Sequence, residues 1–98
     1  MDGTALDAPI LARHVELDPQ VALRPEPFGA LAYHYGNRKL IFLKHPDIVR
    51  VVTALADHAT LRDALIGAEI AEARWPMFER AVASLVDSEM LGERALVG

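Results

Sequence analysis

The pattern of hydrophobic and polar residues from position 30 to position 44 predicts a β-hairpin. Two runs rich in aromatic and aliphatic residues flank Gly36-Asn37 in the segment ALAYHYGNRKLIFLK. A glycine in the first central position of a two-residue loop favours a type II′ turn. This loop pairs Tyr35 with Arg38, Tyr33 with Leu40 and Leu31 with Phe42 on one face, and His34 with Lys39, Ala32 with Ile41 and Ala30 with Leu43 on the other.

The two faces of this hairpin differ in the size of their side chains. The large residues of the first strand lie on one side, so we expect that side, with Leu40 and Phe42, to face the core. Ile41 and Leu43 project from the other face, beside alanines that are too small to cover them. His34 is expected on this same outer face. An apolar edge strand of this kind needs cover from the rest of the fold or from a partner.

A further strand precedes the hairpin. Residues 21–24 are a short strand candidate, which we expect to end at Pro25-Glu26-Pro27 because proline removes a backbone donor from the ladder. The three strands together predict an antiparallel meander, with the strand of residues 38–44 at one edge.

Two short helices are predicted after the hairpin. The first begins at Pro46, which suits the first helical position, and its apolar residues recur at helical spacing to about residue 57. The second opens with Thr60 and Asp63, which resemble a capping box, and ends at Gly67.

A third helix is predicted within residues 70–90. Pro76 leaves two possibilities, since the helix either begins there or is kinked there. Trp75 and Phe78 suit the core, and they could alternatively line a groove beside the edge strand. The apolar stripe of this helix consists of Phe78, Val82, Leu85 and Val86.

The order of these elements predicts an α+β domain, in which a three-stranded antiparallel sheet is followed by three α-helices. This is the outline of a winged helix-turn-helix domain with the sheet first. A chain of 98 residues suits one small domain. We expect residues 1–14 to be a flexible N-terminal arm, residues 15–92 to form the winged helix-turn-helix domain and residues 93–98 to be a C-terminal tail.

Composition narrows the range of functions. The net charge of −4 argues against sequence-independent binding of nucleic acid, which depends on lysine and arginine. No apolar run approaches the roughly 20 residues that a membrane span requires. The absence of cysteine and of a signal-peptide pattern fits a cytoplasmic protein.

Residues that could carry catalysis or bind metals form no recognisable motif. The four histidines are not spaced to place two on one helix face, and no cysteine joins them. Ser84 and Ser88 lack the context of a nucleophile, and no glycine-rich phosphate loop is present. We therefore expect no enzymatic activity, no metal and no cofactor.

Basic residues cluster around the edge strand and the helix that follows it, at Arg38, Lys39, Lys44 and Arg50. They could be ordinary solubilising charges that protect an open edge. They could also attract an acidic ligand, which would increase the association rate more than the affinity. An extended peptide is one such ligand, because it can add a strand to an open sheet edge.

The run LDPQVALRPEPFGALAYHYGNRKLIFLKHPDIVRVVTALADH resembles the peptide chaperones of mycofactocin biosynthesis, the MftB family. These proteins are PqqD-like recognition elements for the precursors of ribosomally made, modified peptides. The similarity covers about residues 17–91. Its most specific parts are the Arg-Pro-Glu-Pro-Phe-Gly run before the hairpin and the Ala-Asp-His that ends the first predicted helix.

The resemblance implies a winged helix-turn-helix fold without DNA binding. It implies that an acidic mycofactocin precursor peptide is held as an added strand between the third strand and the third helix. The peptide would then be presented to a radical S-adenosylmethionine (SAM) maturase. By position in the fold, the implied peptide-binding residues are Arg38, Lys39, Leu40, Ile41, Phe42, Leu43 and Lys44 on the strand and Phe78, Val82 and Leu85 on the helix.

Two other functions stay open. A small winged-helix transcription regulator would share the element order, but its recognition helix should be basic, and residues 60–67 contain Arg62 as their single positive charge. The open edge could instead serve homodimerisation.

Overall fold

Two antiparallel sheets and three α-helices make up residues 9–93, the part of the chain that the computed structural model describes. The elements are β1 Val15–Leu17, β2 Val21–Glu26, β3 Gly29–His34, β4 Leu40–Leu43, α1 Pro46–Ala54, α2 Leu61–Gly67, α3 Trp75–Asp87 and β5 Leu91–Glu93. The predicted α+β class, with a three-stranded antiparallel sheet and three helices, is confirmed. Residues 1–8 of the predicted arm (residues 1–14) and residues 94–98 of the predicted tail (residues 93–98) lie outside the described residues.

The main sheet has the strand order β2-β3-β4, so β4 is an edge strand as predicted. Tyr33 pairs with Leu40 and Ala30 pairs with Leu43, which is the predicted hairpin register. The register agrees with the prediction because the observed loop and the predicted two-residue loop share the same centre, between Gly36 and Asn37.

The two faces of the hairpin are reversed relative to the prediction. Ala30, Ala32 and Leu43 are buried, whereas Leu40 and Phe42 are 52% and 54% exposed. Helix α1 packs against β3. Because protein interiors are close-packed, the strand presents its small side chains to the helix. The prediction that Leu40 and Phe42 belong to the core is therefore wrong.

The loop between β3 and β4 is longer than the predicted two residues. The Arg38 N–H donates to the carbonyl of His34 at 2.8 Å, and the left-handed residue is Arg38, with φ 65°, rather than Gly36. The buried His34 ring holds the loop, since its Nδ1 accepts the backbone N–H groups of Gly36 at 2.9 Å and Asn37 at 3.1 Å. The type II′ turn and the outer-face position of His34 were wrong predictions, because an inward histidine organises the loop.

Strand β2 continues through Pro25, beyond the predicted end at residue 24. The Tyr35 N–H donates to the Gln20 carbonyl at 2.9 Å, and hydrogen-bonded pairs alternate with non-hydrogen-bonded pairs along the two strands from that point. The pair of Pro25 with Ala30 is a non-hydrogen-bonded pair in this alternation. The missing N–H of Pro25 therefore lies on the open side of an edge strand, where proline is tolerated.

A two-stranded sheet of β1 and β5 joins the two ends of the described chain. Each strand has three residues, which is too short for an alternating pattern to predict. Val15 and Leu91 are buried in the core, and Arg13 donates to the Glu93 carboxylate at 2.7 Å beside the sheet.

The helices begin at the predicted signals. The His45 side chain accepts the Asp47 N–H at the start of α1, and Thr60 Oγ1 accepts the Asp63 N–H at the start of α2. Helix α1 gives way to a 3₁₀ turn at Leu55–Asp57, and another 3₁₀ turn at Glu72–Arg74 precedes α3.

Helix α3 begins at Trp75 with Pro76 in its first turn, so Pro76 starts the helix and does not kink it. The Trp75 indole N–H donates to the Ile70 carbonyl at 3.0 Å, and the ring is buried. Trp75 and Phe78 are core residues, which was the first of the two predicted possibilities.

Gly29 lies where the chain enters β3, close to the backbone at the end of β4. Its φ is +151°, and a Cβ added there would overlap the carbonyl oxygen of Leu43. We expect Gly29→Ala to lower the free energy of unfolding by about 2 kcal/mol or more, because backbone would have to move. Urea denaturation measures this loss, and a variant as stable as the wild type would contradict the tight contact.

Asp47 connects the start of α1 to the turn that precedes α3. Its carboxylate accepts hydrogen bonds from Arg74 at 3.0 Å and Arg50 at 2.8 Å. Both contacts lower the pKa of Asp47 from its ordinary value of 3.8, and the hydrogen bond from Arg74 has the larger effect. The ion pairs therefore contribute stability that is fully present above that value and is lost as the pH falls through the lower pKa of the folded state.

We expect Asp47→Asn to be less stable than the wild type at neutral pH and to lose less stability on acidification below about pH 4. Denaturant titrations at a series of pH values measure, for each protein, the slope of the free energy of unfolding against pH. Equal acid slopes for the variant and the wild type would contradict the role of the Asp47 contacts.

Candidate functional site

The outer edge of β4 presents backbone groups that no described strand satisfies. The His34 N–H donates to the Lys39 carbonyl at 2.9 Å, and hydrogen-bonded pairs alternate from that point along the hairpin. Ile41 and Leu43 therefore direct their backbone polar groups toward β3, while Leu40 and Phe42 direct theirs away from it. The edge can accept another strand.

The two edges of the main sheet differ in their capacity to pair. Pro25 interrupts the open donors of β2, whereas β4 contains no proline. A proline on an edge strand blocks the addition of a further strand, since it has no N–H to donate. Of the two edges, β4 is therefore the one that can receive a partner strand.

A pocket of about 150 Å³ lies between β4 and α3. It is lined by Ile41, Phe42, Leu43, Lys44, Ile48, Ala81, Ser84 and Leu85. The walls are mostly apolar, and Ala81 and Ser84 are small, so the helix leaves room beside the strand. An added strand on β4 would lie next to this pocket and could place alternate side chains in it.

The three helix residues predicted to bind a peptide are all buried in the core. Phe78 and Val82 are each 1% exposed and Leu85 is 3% exposed. Leu85 also lines the pocket beside β4. Ala81 and Ser84 also line the pocket, which was not predicted. Their positions within one helical turn of Leu85, on the same side of α3, could have indicated it.

The basic residues near the edge separate into two groups. Arg38, Lys39 and Lys44 are exposed at the two ends of β4. Arg50 instead donates to the Asp47 carboxylate at 2.8 Å and to the Ala68 carbonyl at 2.6 Å, so it joins α1 to the end of α2. The first three can meet an acidic ligand at the edge, whereas Arg50 has a structural role.

Asn37 connects the hairpin loop to the end of α3. Its Oδ1 accepts the Lys39 N–H at 2.9 Å, and its Nδ2 donates to the Glu89 carboxylate at 3.1 Å and to the Ser88 carbonyl at 3.5 Å. Because β4 and α3 form the two walls of the pocket, this side chain fixes the walls relative to each other at one end.

Two further observations concern the described residues 9–93. No group of three or more histidine, aspartate or glutamate side chains there could hold a metal ion. None of the helices in that range is both long enough and apolar enough to span a membrane.

The edge of β4, the adjoining pocket and the exposed Arg38, Lys39 and Lys44 lie together on one side of a small α+β protein. Comparisons with known proteins show its family. Residues 14–92 match the model of the peptide chaperone MftB family, and the chain belongs to that family.

Curated relatives carry the same description. The peptide chaperone MftB of Mycolicibacterium smegmatis is 46% identical over 89 residues, which covers 83% of this chain and 87% of the relative. The peptide chaperone MftB of Mycobacterium tuberculosis is 49% identical over 78 residues, with coverage of 80% and 72%. The MftB of Mycobacterium ulcerans is 48% identical over 75 residues, with coverage of 76% and 69%. No solved structure matches the chain.

The Asn37 contact gives a stability prediction. Asn37→Asp keeps the acceptor for the Lys39 N–H but places a carboxylate 3.1 Å from the carboxylate of Glu89. We expect a loss of about 1 kcal/mol in the free energy of unfolding at neutral pH. Adding Glu89→Gln should restore most of this loss, and a double-mutant cycle from urea denaturation measures the coupling. Additive effects of the two substitutions would contradict a direct contact.

Proposed function

We propose that this protein is a non-enzymatic peptide chaperone that binds the mycofactocin precursor peptide by adding it as a strand to β4. It presents the bound peptide to a radical SAM maturase in the cytoplasm. The observation that carries the proposal is the open, proline-free edge of β4 beside an apolar pocket. Membership of the MftB family supplies the class of ligand.

Strand addition uses the two sets of groups that the β4 edge supplies. The outward backbone groups of Leu40 and Phe42 bond the peptide whatever its sequence, and the pocket beside Ile41 and Leu85 selects apolar side chains at alternate positions. Backbone hydrogen bonds provide the affinity for the peptide, and the pocket sets the register of the bound peptide on β4.

Charge favours an acidic peptide. Arg38, Lys39 and Lys44 lie at the ends of the proposed binding strand and are exposed, although the whole chain is acidic with a net charge of −4. Local complementarity of this kind increases the association rate and weakens with salt.

The same elements fit a winged helix-turn-helix domain in which the β3–β4 hairpin is the wing. The alternative function, sequence-specific DNA binding, gains no support from α2. Its single basic residue, Arg62, lies over the Trp75 ring, with the guanidinium carbon 5.9 Å from the ring centroid. Recognition of DNA requires basic residues that are available to phosphates and bases.

Phe42→Pro tests strand addition directly, because it removes an outward N–H without removing a β3 ladder bond. We expect peptide affinity to fall by about tenfold or more. Phe42→Ala is the matched control, since it removes the side chain and keeps the N–H, and it should bind much closer to the wild type. Calorimetric titration with the synthetic precursor peptide measures both, and circular dichroism checks the fold.

The outcome that contradicts the proposal is equal affinity of the folded Phe42→Pro variant and the wild type. Ile41→Pro is unsuitable for this comparison. The Ile41 N–H points toward β3, so that substitution would disrupt the hairpin itself.

A further inference from the structure

The face of the main sheet turned away from the helices is an apolar surface, which we call the outer sheet face. Its members are Leu31, Tyr33, Leu40 and Phe42 on the strands, with Phe28 before β3 and Tyr35 after it. Tyr35 is 65% exposed, and Leu40 and Phe42 are each more than half exposed. Phe28 is also exposed, whereas Leu31 and Tyr33 are half-buried.

The side chains of this face are arranged in packed pairs. The rings of Phe28 and Phe42 meet edge to face with centroids 5.9 Å apart, and those of Tyr33 and Tyr35 do so at 5.0 Å. An open hollow of about 440 Å³ lies beside Phe28, Phe42 and Lys44. Rigid aromatic groups next to a hollow are typical of the anchor positions of protein interfaces.

The border of this face carries mainly positive charge. Arg24 pairs with Leu31 in the sheet, and its side chain is 76% exposed; Lys44 lies beside the hollow at the end of β4. Glu26, on the same face of β2, is 25% exposed and is paired with Arg24 at 3.1 Å. A second copy of this chain would bring the same basic border against itself, which disfavours self-association.

Strand addition places the bound peptide beside this surface. Successive side chains of a strand point to opposite faces of a sheet, so every second residue of a peptide on β4 would lie next to Leu40 and Phe42 on the outer sheet face. A protein that contacts the outer sheet face would therefore also contact the peptide.

We propose that the outer sheet face docks the enzyme that modifies the bound peptide. The matching surface of that enzyme is an apolar patch bordered by carboxylates. This inference rests on the proposed function, since it takes the peptide to be an added strand on β4.

The test uses the full chain loaded with precursor peptide and the purified radical SAM maturase, with binding followed by biolayer interferometry. Tyr35→Ser and Arg24→Glu alter the outer sheet face at residues that lie outside β4. We expect each to weaken maturase binding by about tenfold and to leave peptide affinity within about twofold of the wild type.

Matched controls lie on α2, away from this face. Ile66→Ser removes another exposed apolar side chain, since Ile66 is 57% exposed, and Arg62→Glu reverses another exposed charge. Both should bind the maturase as the wild type does. Equal losses in the controls and the outer-face variants would overturn the assignment of the surface.

Two further outcomes would overturn the inference in different ways. Wild-type maturase affinity in both outer-face variants would show that the enzyme docks elsewhere and would leave the proposed function intact. A wild-type dimer in light scattering that Tyr35→Ser dissociates would assign the face to a second copy. Failure of the wild type to bind the precursor peptide would instead remove the proposed function itself.

Discussion

The close packing of α1 against the small inner face of β3 is the constraint on which the rest of the structure depends. Ala30 and Ala32 are each 1% exposed, and the glycine before them brings the chain against the Leu43 carbonyl. With these small residues inward, the register turns Ile41 and Leu43 toward the helices and turns Leu40 and Phe42 outward. The pocket beside α3 and the outer sheet face both follow from this orientation.

Side-chain size alone predicted the wrong face of the β3–β4 hairpin as the one that packs in the core. The pairing of β3 with β4 could be predicted because alternation and loop position define it, and the helix starts could be predicted from Pro46 and Thr60. The inward face could not, because large residues usually mark a core, and here helix packing selects alanine instead. A sequence contains no local signal for how near a helix will lie.

The candidate site was predictable in part for the same reasons. The edge position of β4 was predicted correctly. Leu85, Phe78 and Val82 are all buried, and helical spacing could not show that Leu85 lines the pocket and the other two do not. The contact of Asn37 with the end of α3 joins residues more than fifty positions apart, so no sequence pattern shows it. The same holds for His34, whose ring organises the loop only because it is buried.

Strand β4 therefore lines the pocket on one face, belongs to the outer sheet face on the other, and has an open row of backbone groups along its edge. Hydrogen exchange measured by NMR on the free and peptide-bound protein tests this account most directly. In the free protein, the amides of Ile41 and Leu43 should be protected by β3, and those of Leu40 and Phe42 should exchange rapidly. Saturating precursor peptide should slow exchange at Leu40 and Phe42 and leave β2 unchanged. Rapid exchange at Leu40 and Phe42 in the complex, or new protection in β2, would contradict strand addition to β4.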